Sequence, residues 1–416
     1  MKLLFIGYGG GHMRLLHQIA FKVVSEKDID LKIIALTTGY LDIQNFYNSN
    51  ILKKPSDYSF LFDNDIAQIN KYGSMLLDEN HNPNSGLDIE DSRFYLGMSY
   101  YDLVLEYGEN KAKEIYKQKK RHAFLPKRSM RKILEFESPD MLIATTSPKC
   151  ELASLIEAKR LGIKTMQIID LFGDNFPTPF ADSIIVMNNN VKKKLDSRID
   201  LNSKVYAYGQ PVFDYTIKSV SEVNRYEVRK KLKLEKDKLV ILFSPSRYLL
   251  YSNDKSIEKE LDHDIVNKPV FDLFDRLNKK NNIKVVIRPH PNDDPQKFSK
   301  YLVGKNYIKL LKNKHYSLYE SIAISDFVVA YNSTILIEST SCGKIAFPFN
   351  YDSNQTYHWP ELTREPFEYS SNFDNLEKNL TKAIERTELN LSIKKDISNF
   401  YKRGSVDKIL RLIKRN

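Results

Sequence analysis

The chain is nearly devoid of cysteine and tryptophan, with two Cys and one Trp in 416 residues. Two thiols, Cys150 and Cys342, are too few for a disulfide framework or a cysteine-based metal cluster, so a reducing, cytoplasmic setting is expected. Long hydrophobic runs are missing too. No stretch approaches the roughly 18–20 apolar residues of a spanning helix, and a lone lysine before "LLFI" does not read as a secretory signal. No repeat of solenoid period and no low-complexity segment is visible. Glycine is sparse, 15 in all, yet Gly9, Gly10 and Gly11 stand together in "GYGGGH". Backbone is needed there where side chains would be in the way.

A chain of 416 residues is longer than one hydrophobic core usually serves, which predicts two domains. The net charge is +11, and "KQKKRHAFLPKRSMRK" (117–132) holds eight basic residues and no acid. A solvated helical face explains such a run; attraction to an anionic membrane surface is the sharper reading, giving peripheral binding on the inner face. Nucleic acid is not expected as a partner, because no nucleic-acid-binding motif is present and the aromatics do not interleave with the basic runs.

Along the chain, short apolar runs alternate with helical spacing. "KLLFIGY", "LKIIALTT", "SPDMLIATTS", "KTMQIID" and "ADSIIVMN" read as strands, with 60–137 a polar, helical insertion. Residues 202–215 carry the Gly-Pro punctuation of a crossing segment. A second series follows: "LVILFSPS", "IKVVIRPH", "YIKLL", "DFVVAY" and "KIAFPF". Strand–helix alternation argues for parallel sheets with helices on both faces. The expected fold class is α/β, two doubly wound Rossmann-like domains facing across a cleft. The expected boundaries are 1–215, 216–375, and 376–416 as C-terminal helices with a basic tail. Ligands of such sheets bind outside the carboxyl ends of the strands.

Chemistry-bearing residues fall at those ends. The glycine turn before the first helix brings backbone N–H groups to a helix N-terminus, as a phosphate or acceptor loop, with His12 as a donor or base. In "VVIRPHP" a buried strand ends at Arg288, and His290 then offers an imidazole to a phosphate oxygen while Arg288 adds a charge-assisted bond. In "AYNSTILIESTSCG" the hydroxyls of Ser333 and Thr334 open a helix, and Glu338, one turn on, suits ribose hydroxyls. Ser244 and Ser246 in "LFSPSRY" join the same donor-binding set. "LDHD" (261–264) reads as a solvated face, so no metal site is expected, and nothing calls for a cofactor.

These motifs resemble the GT-B superfamily of glycosyltransferases and its relatives. "GYGGGH" is similar to the glycine-rich first loop of the transferase that adds N-acetylglucosamine to the peptidoglycan lipid precursor. "TTSPKCELASLIEAKRLGIKTMQIIDLFGDN" resembles a segment of that enzyme and of the UDP-N-acetylglucosamine 2-epimerases. "RPHP" followed by "NST" is similar to motifs of bacterial sialyltransferases and of capsule and teichoic-acid transferases. The resemblance implies that His290, Ser333 and Thr334 hold the donor's phosphate. It also implies a catalytic carboxylate at Asp170, where the epimerases have a glutamate. His12 and Asp174 compete with Asp170 for the role of base; Asp170 is preferred because it ends a strand.

The chain departs from the epimerases at Ser333-Thr334-Ile335, where they have Ser-Gly-Gly, and at "SPSRY", where they have a histidine-arginine pair. Transfer therefore ranks above epimerisation at this level. The leading expectation is an inverting glycosyltransferase with a nucleotide-sugar donor, a CMP-activated sialic-acid-like nonulosonate ahead of a UDP-sugar, and a bacterial surface glycan or glycolipid acceptor. The alternatives are a UDP-N-acetylglucosamine 2-epimerase-like isomerase or hydrolase, a CDP-polyol phosphotransferase, and a non-enzymatic nucleotide-sugar sensor.

Overall fold

In the computed structural model, which describes residues 1–173, 181–196, 203–251, 257–290, 293–312, 315–353, 357–389, 397 and 400–415, the opening apolar run forms β1 (Lys2–Tyr8). Leu3 to Ile6 are fully buried. A strand covered on both faces reads as a continuous apolar run, as parallel sheets require. The strands β2 (Asp30–Leu36), β3 (Leu52–Lys53), β4 (Met141–Ala144), β5 (Lys164–Ile168), β6 (Ser183–Val186) and β7 (Lys204–Ala207) join it in one sheet. Their order is β3-β2-β1-β4-β5-β6-β7, and every pairing is parallel. The order reverses between β1 and β4, where doubly wound sheets open a crevice for ligands.

Residues 202–215 are more than a crossing segment. Lys204–Ala207 pairs with β6 as the seventh strand, and a helix begins at Pro211. Only four residues long, this edge strand is too short for its periodicity to stand out. The helical insertion contributes Ile66–Asn80, Ile89–Tyr107, Glu109–Lys119 and Lys127–Glu137. Its first two helices cross closely: a Cβ on Gly73 would lie 2.2 Å from the Arg93 carbonyl oxygen, and one on Gly97 would lie 1.9 Å from that of Ile69.

Much of the charge in 117–132 is spent inside this unit. Lys120 pairs with Glu79, Lys127 with Glu106, Arg128 and Lys132 with Asp65, and Arg131 with Glu157. Among the described residues no helix is long and apolar enough to cross a membrane.

The second sheet comprises β8 (Val240–Ser244), β11 (Lys284–Ile287), β12 (Ile308–Leu310), β13 (Phe327–Ala330) and β14 (Ile345–Pro348). It is parallel in the order β12-β11-β8-β13-β14, with its reversal between β8 and β13. A two-stranded antiparallel ribbon, β9 (Leu249–Tyr251) and β10 (Ile257–Glu260), follows β8.

The chain divides into two compact units, Met1–Asp214 with Tyr401–Asn416, and Tyr215–Phe400. The stretch expected as one C-terminal set of helices is thus split. Phe373–Glu388 packs in the second unit, where Glu377 pairs with Arg276. Ser405–Arg415 returns to the first, burying Ile409, Leu412 and Ile413 in the core beside Leu16 and Ile19. Asp214 anchors the return. It accepts from Gly404 N at 3.0 Å, Ser405 N at 2.7 Å, Ser405 Oγ at 2.6 Å and the Tyr401 hydroxyl. The basic tail covers a core through its apolar face, and its Lys414 pairs with Glu26.

Candidate functional site

The reversal in the first sheet sets the loop after β1 beside the loop after β4, and the two meet through side chains. His12 Nδ1 lies 2.5 Å from Thr145 Oγ1. Thr145 in turn donates to Glu151 Oε2, through Oγ1 at 2.5 Å and through its N–H at 2.8 Å. Glu151, 0% exposed, also accepts from Tyr8 N at 2.9 Å and Ser147 N at 3.3 Å. A carboxylate buried this way is tenable because donors surround it.

Hydrogen-bond logic then assigns the imidazole. The one hydroxyl proton of Thr145 goes to Glu151, so Thr145 presents a lone pair to His12, and Nδ1 must carry the proton. Nε2 is left as the basic nitrogen, on a ring whose side chain is 28% exposed. A base with its tautomer fixed by a third group follows the general logic of activated catalytic residues.

Asp170 follows β5, before a turn in which Leu171 has φ 45° and Gly173 has φ 66°. Burial pushes its carboxyl above the usual carboxylate range; the charge of His12 and the Leu171 N–H oppose that push, and the charge of Glu151 adds to it. His12, Asp170 and Glu151 thus form one electrostatic group. Asp174, the third candidate base, lies outside the described residues.

The glycine loop is built for close approach. A Cβ on Gly9 would lie 2.0 Å from Thr38 Oγ1, and one on Gly39 would lie 3.1 Å from Gly9 N, a looser but still tight contact. Gly10, at φ 69°, precedes the helix Gly11–Val23. Its N–H, however, already donates to Asp42 Oδ2 at 3.0 Å. An acidic side chain at that N-terminus disfavours a phosphate there and favours a neutral polar group.

In the second unit the sheet order gathers the remaining motifs. β8 sits between β11 and β13, with Phe243 opposite Ile287 and Ser244 opposite Ala330. The loops carrying Arg288 and His290, Ser244 and Ser246, and Ser333 and Thr334 therefore leave adjacent strand ends. Ser333 caps the helix Thr334–Ser341, accepting from Ile335 N at 3.4 Å, while His290 is exposed at its strand end. Beside them the Ser246 hydroxyl and both side-chain polar atoms of Asn332 are buried without a hydrogen-bond partner. Unpaired polar atoms at a switch point are what a ligand rich in donors and acceptors would satisfy.

Two of the expected roles change in this unit. Arg288 does not stand ready for a phosphate: its Nη1 braces the chain through the Tyr316 carbonyl at 2.8 Å and Ser321 Oγ at 3.0 Å. Burial lowers its pKa, with the charges of Glu320 and Glu338 opposing that. Thr334 turns its hydroxyl to Glu338 Oε1 at 3.3 Å, and Thr216 reaches Oε2 at 3.0 Å. Glu338, 3% exposed, is thereby a fixed carboxylate.

In "LDHD", Asp262 caps the helix His263–Asn281 and Asp264 bonds Lys300 and Tyr301, which accounts for both acids. Among the described residues no cluster of three His, Cys, Asp or Glu could hold a metal.

Thr145, Glu151, Asp42 and Thr216 were not singled out from the sequence. The one available signal was "TTSPKCE", a hydroxyl pair at a strand end with an acid in the first turn of the next helix.

No family model and no curated relative matches the chain in sequence. Solved structures do match in fold. A UDP-GlcNAc 2-epimerase from Neisseria meningitidis bound to UDP-GlcNAc superposes with a TM-score of 0.63 at 15% identity, covering 100% of both chains. The UDP-GlcNAc 2-epimerase of Methanocaldococcus jannaschii gives 0.64 at 14% identity, again covering 100% of both. A glycosyltransferase from Rickettsia africae gives 0.55 at 13% identity, covering 100% of this chain and 98% of that one. The fold is the GT-B architecture of two Rossmann-like units.

Proposed function

We propose that this chain is an enzyme of nucleotide-activated sugars that breaks the bond between the anomeric carbon and the departing nucleotide phosphate. The observation that carries the reading is the His12–Thr145–Glu151 relay at the first sheet's switch point. It prepares a base, and cleavage of a sugar nucleotide needs one: for the C2 proton in epimerisation, or for an acceptor hydroxyl in transfer. His12 Nε2 takes that proton in either case. Asp170 then stabilises the imidazolium, rather than acting as the base its strand-end position suggested. In the second unit the loops of His290, Ser246 and Asn332–Ser333 hold the phosphates, and Glu338 takes the ribose.

The full-length fold matches include UDP-GlcNAc 2-epimerases, so a uridine diphosphate N-acetylhexosamine ranks ahead of the cytidine donor, and epimerisation or hydrolysis is the first reading. Transfer to a glycan or glycolipid is the second. It is favoured by a cavity of about 520 Å³ in the first unit, beside the glycine loop, which an epimerase does not require. Docking on anionic lipid is not part of the proposal, because five of the eight basic residues in 117–132 are paired to acids.

The test is incubation of the full chain with UDP-GlcNAc, followed by proton and phosphorus NMR. The C2 epimer or free UDP should accumulate. Nucleotide that binds while neither UDP nor CMP sugars turn over would replace the enzyme with a sensor.

A further inference from the structure

The cavity of about 520 Å³ in the first unit has no part in nucleotide binding as described above. Its size is in the usual range for small-molecule sites, roughly 300–1,000 Å³. The charged groups on its wall are Lys54, Asp88, Asp91 and Arg121. Three of them are engaged. Asp91 accepts from Lys54 at 2.7 Å and from Ser56 Oγ at 2.5 Å. Asp88 caps the helix Ile89–Tyr107 through Glu90 N at 2.7 Å. Arg121 differs. Its guanidinium has no ion-pair partner among the described residues, whereas five of the eight basic residues in 117–132 are paired to acids.

A second cation stands with it. Lys149 is half-buried, its Nζ 5.5 Å from the centroid of the Tyr8 ring, and among the described residues it too has no paired acid. Burial lowers its pKa and the charge of Arg121 adds to that, against the charges of Cys150 and Glu151. The charge of Arg121 also acts on Tyr95, a wall residue whose hydroxyl lies 2.5 Å from that of Tyr8. Arg121 and Lys149 therefore make the Tyr95 end of the cavity cationic. Asp88 does not neutralise it, being two turns before Tyr95 on the same helix, about 10 Å at 1.5 Å per residue. Two like charges, one of them partly desolvated, carry a cost that a bound anion offsets. The backbone adds an independent sign. Lys120, immediately before Arg121, has φ 50°, a left-handed conformation that a residue with a side chain adopts under constraint.

We propose that Arg121 and Lys149 hold the phosphate of a small organic phosphomonoester whose body occupies this cavity. Two cations match the charge of about −1.5 to −2 that such an ester carries at pH 7. The guanidinium fork suits its oxygens. The volume leaves room beyond the phosphate for a polar body against Asn82, Ser85 and Ser92. This site is separate from the nucleotide's phosphates, assigned above to loops of the second unit, and it does not rest on the sugar-nucleotide reading.

Calorimetric titration of the full chain with glycerol 3-phosphate tests it, beside inorganic phosphate, glycerate and UDP. Glycerol 3-phosphate should bind more tightly than inorganic phosphate or glycerate, and saturating UDP should not displace it. Arg121→Gln and Lys149→Gln should each weaken it by at least about 10-fold, the scale of one hydrogen bond to a charged group, and leave UDP affinity unchanged. Arg121→Lys, which keeps the charge, should lose less than Arg121→Gln, and a melting temperature near that of wild type shows that each variant is folded. Failure of glycerol 3-phosphate to bind, or binding unaltered in both glutamine variants, would overturn the assignment. So would tighter binding of glycerate, equal binding of inorganic phosphate, or displacement by UDP. If the ester binds and is weakened in the variants while UDP does not bind at all, the site stands and the nucleotide reading falls.

Discussion

The hydroxyl of Thr145 donates to the buried carboxylate of Glu151 at 2.5 Å, which leaves it only a lone pair to offer His12. The direction of one hydroxyl proton thus decides which imidazole nitrogen is basic. Thr145→Val removes the acceptor of Nδ1–H and should lower kcat roughly 10- to 100-fold, a part of the 10²–10⁴ that a positioned base supplies. KM should stay near wild type. Thr145→Ser, which keeps the hydroxyl, should restore most of the rate. Equal losses in both variants would mean that packing, not the proton, matters at this position.

Asp170 gives a pH signature. Burial raises its folded-state pKa above the unfolded value, so the folded protein binds that proton more tightly. Its contribution is favourable at low pH, is lost as pH rises from the ordinary carboxylate value through the raised one, and stays unfavourable above. Asp170→Asn, which carries no charge at any pH, should therefore be more stable than wild type at pH 8, with the advantage shrinking toward pH 4. Denaturant midpoints at the two pH values measure this. An advantage that grows as pH falls would have the wrong sign.

The sheets were legible because their strands are apolar runs broken by helical spacing, as in "KLLFIGY" and "DFVVAY", and burial on both faces leaves little else those runs could be. The gathering of His290 with Ser333 was legible for the same reason, since both follow strand runs of one series. The relay was not. Thr145 and Glu151 matter only because β4 lies beside β1, a pairing between residues 133 positions apart in the case of His12 and Thr145. Arg288 looked like a phosphate ligand because sequence shows its strand end but not the Tyr316 carbonyl that takes its Nη1. The tail looked like a separate basic element because its apolar face, Ile409 and Ile413, finds its partner almost four hundred residues earlier in the chain, as order of magnitude.

Glu338 should read ribose. Two threonine hydroxyls fix its carboxylate, Thr216 at 3.0 Å and Thr334 at 3.3 Å. Glu338→Gln should weaken UDP more than 2′-deoxy-UDP in calorimetric titration. Thr334→Val removes the hydroxyl that holds Glu338 Oε1 and, through the freed carboxylate, should weaken UDP binding by about 0.5–1.5 kcal/mol, the scale of one hydrogen bond. Equal weakening of both nucleotides by Glu338→Gln would remove the ribose contact.

Asp214 ties the C-terminal return to the first unit by four hydrogen bonds. Asp214→Ala leaves buried donors unpaired and should destabilise that unit by roughly 1–3 kcal/mol. Limited proteolysis should then remove the helix Ser405–Arg415 faster than in wild type. An unchanged cleavage rate would show that apolar burial alone holds the helix.

The most direct measurement is turnover of UDP-GlcNAc by His12→Ala, with UDP affinity measured on the same preparation. If Nε2 of His12 is the base, turnover should fall by roughly 10²- to 10⁴-fold while UDP affinity stays within about twofold, since a base that acts on the sugar spares the nucleotide contacts. Turnover retained in His12→Ala, with collapse in Asp170→Asn, would contradict the account and move the base to the end of β5.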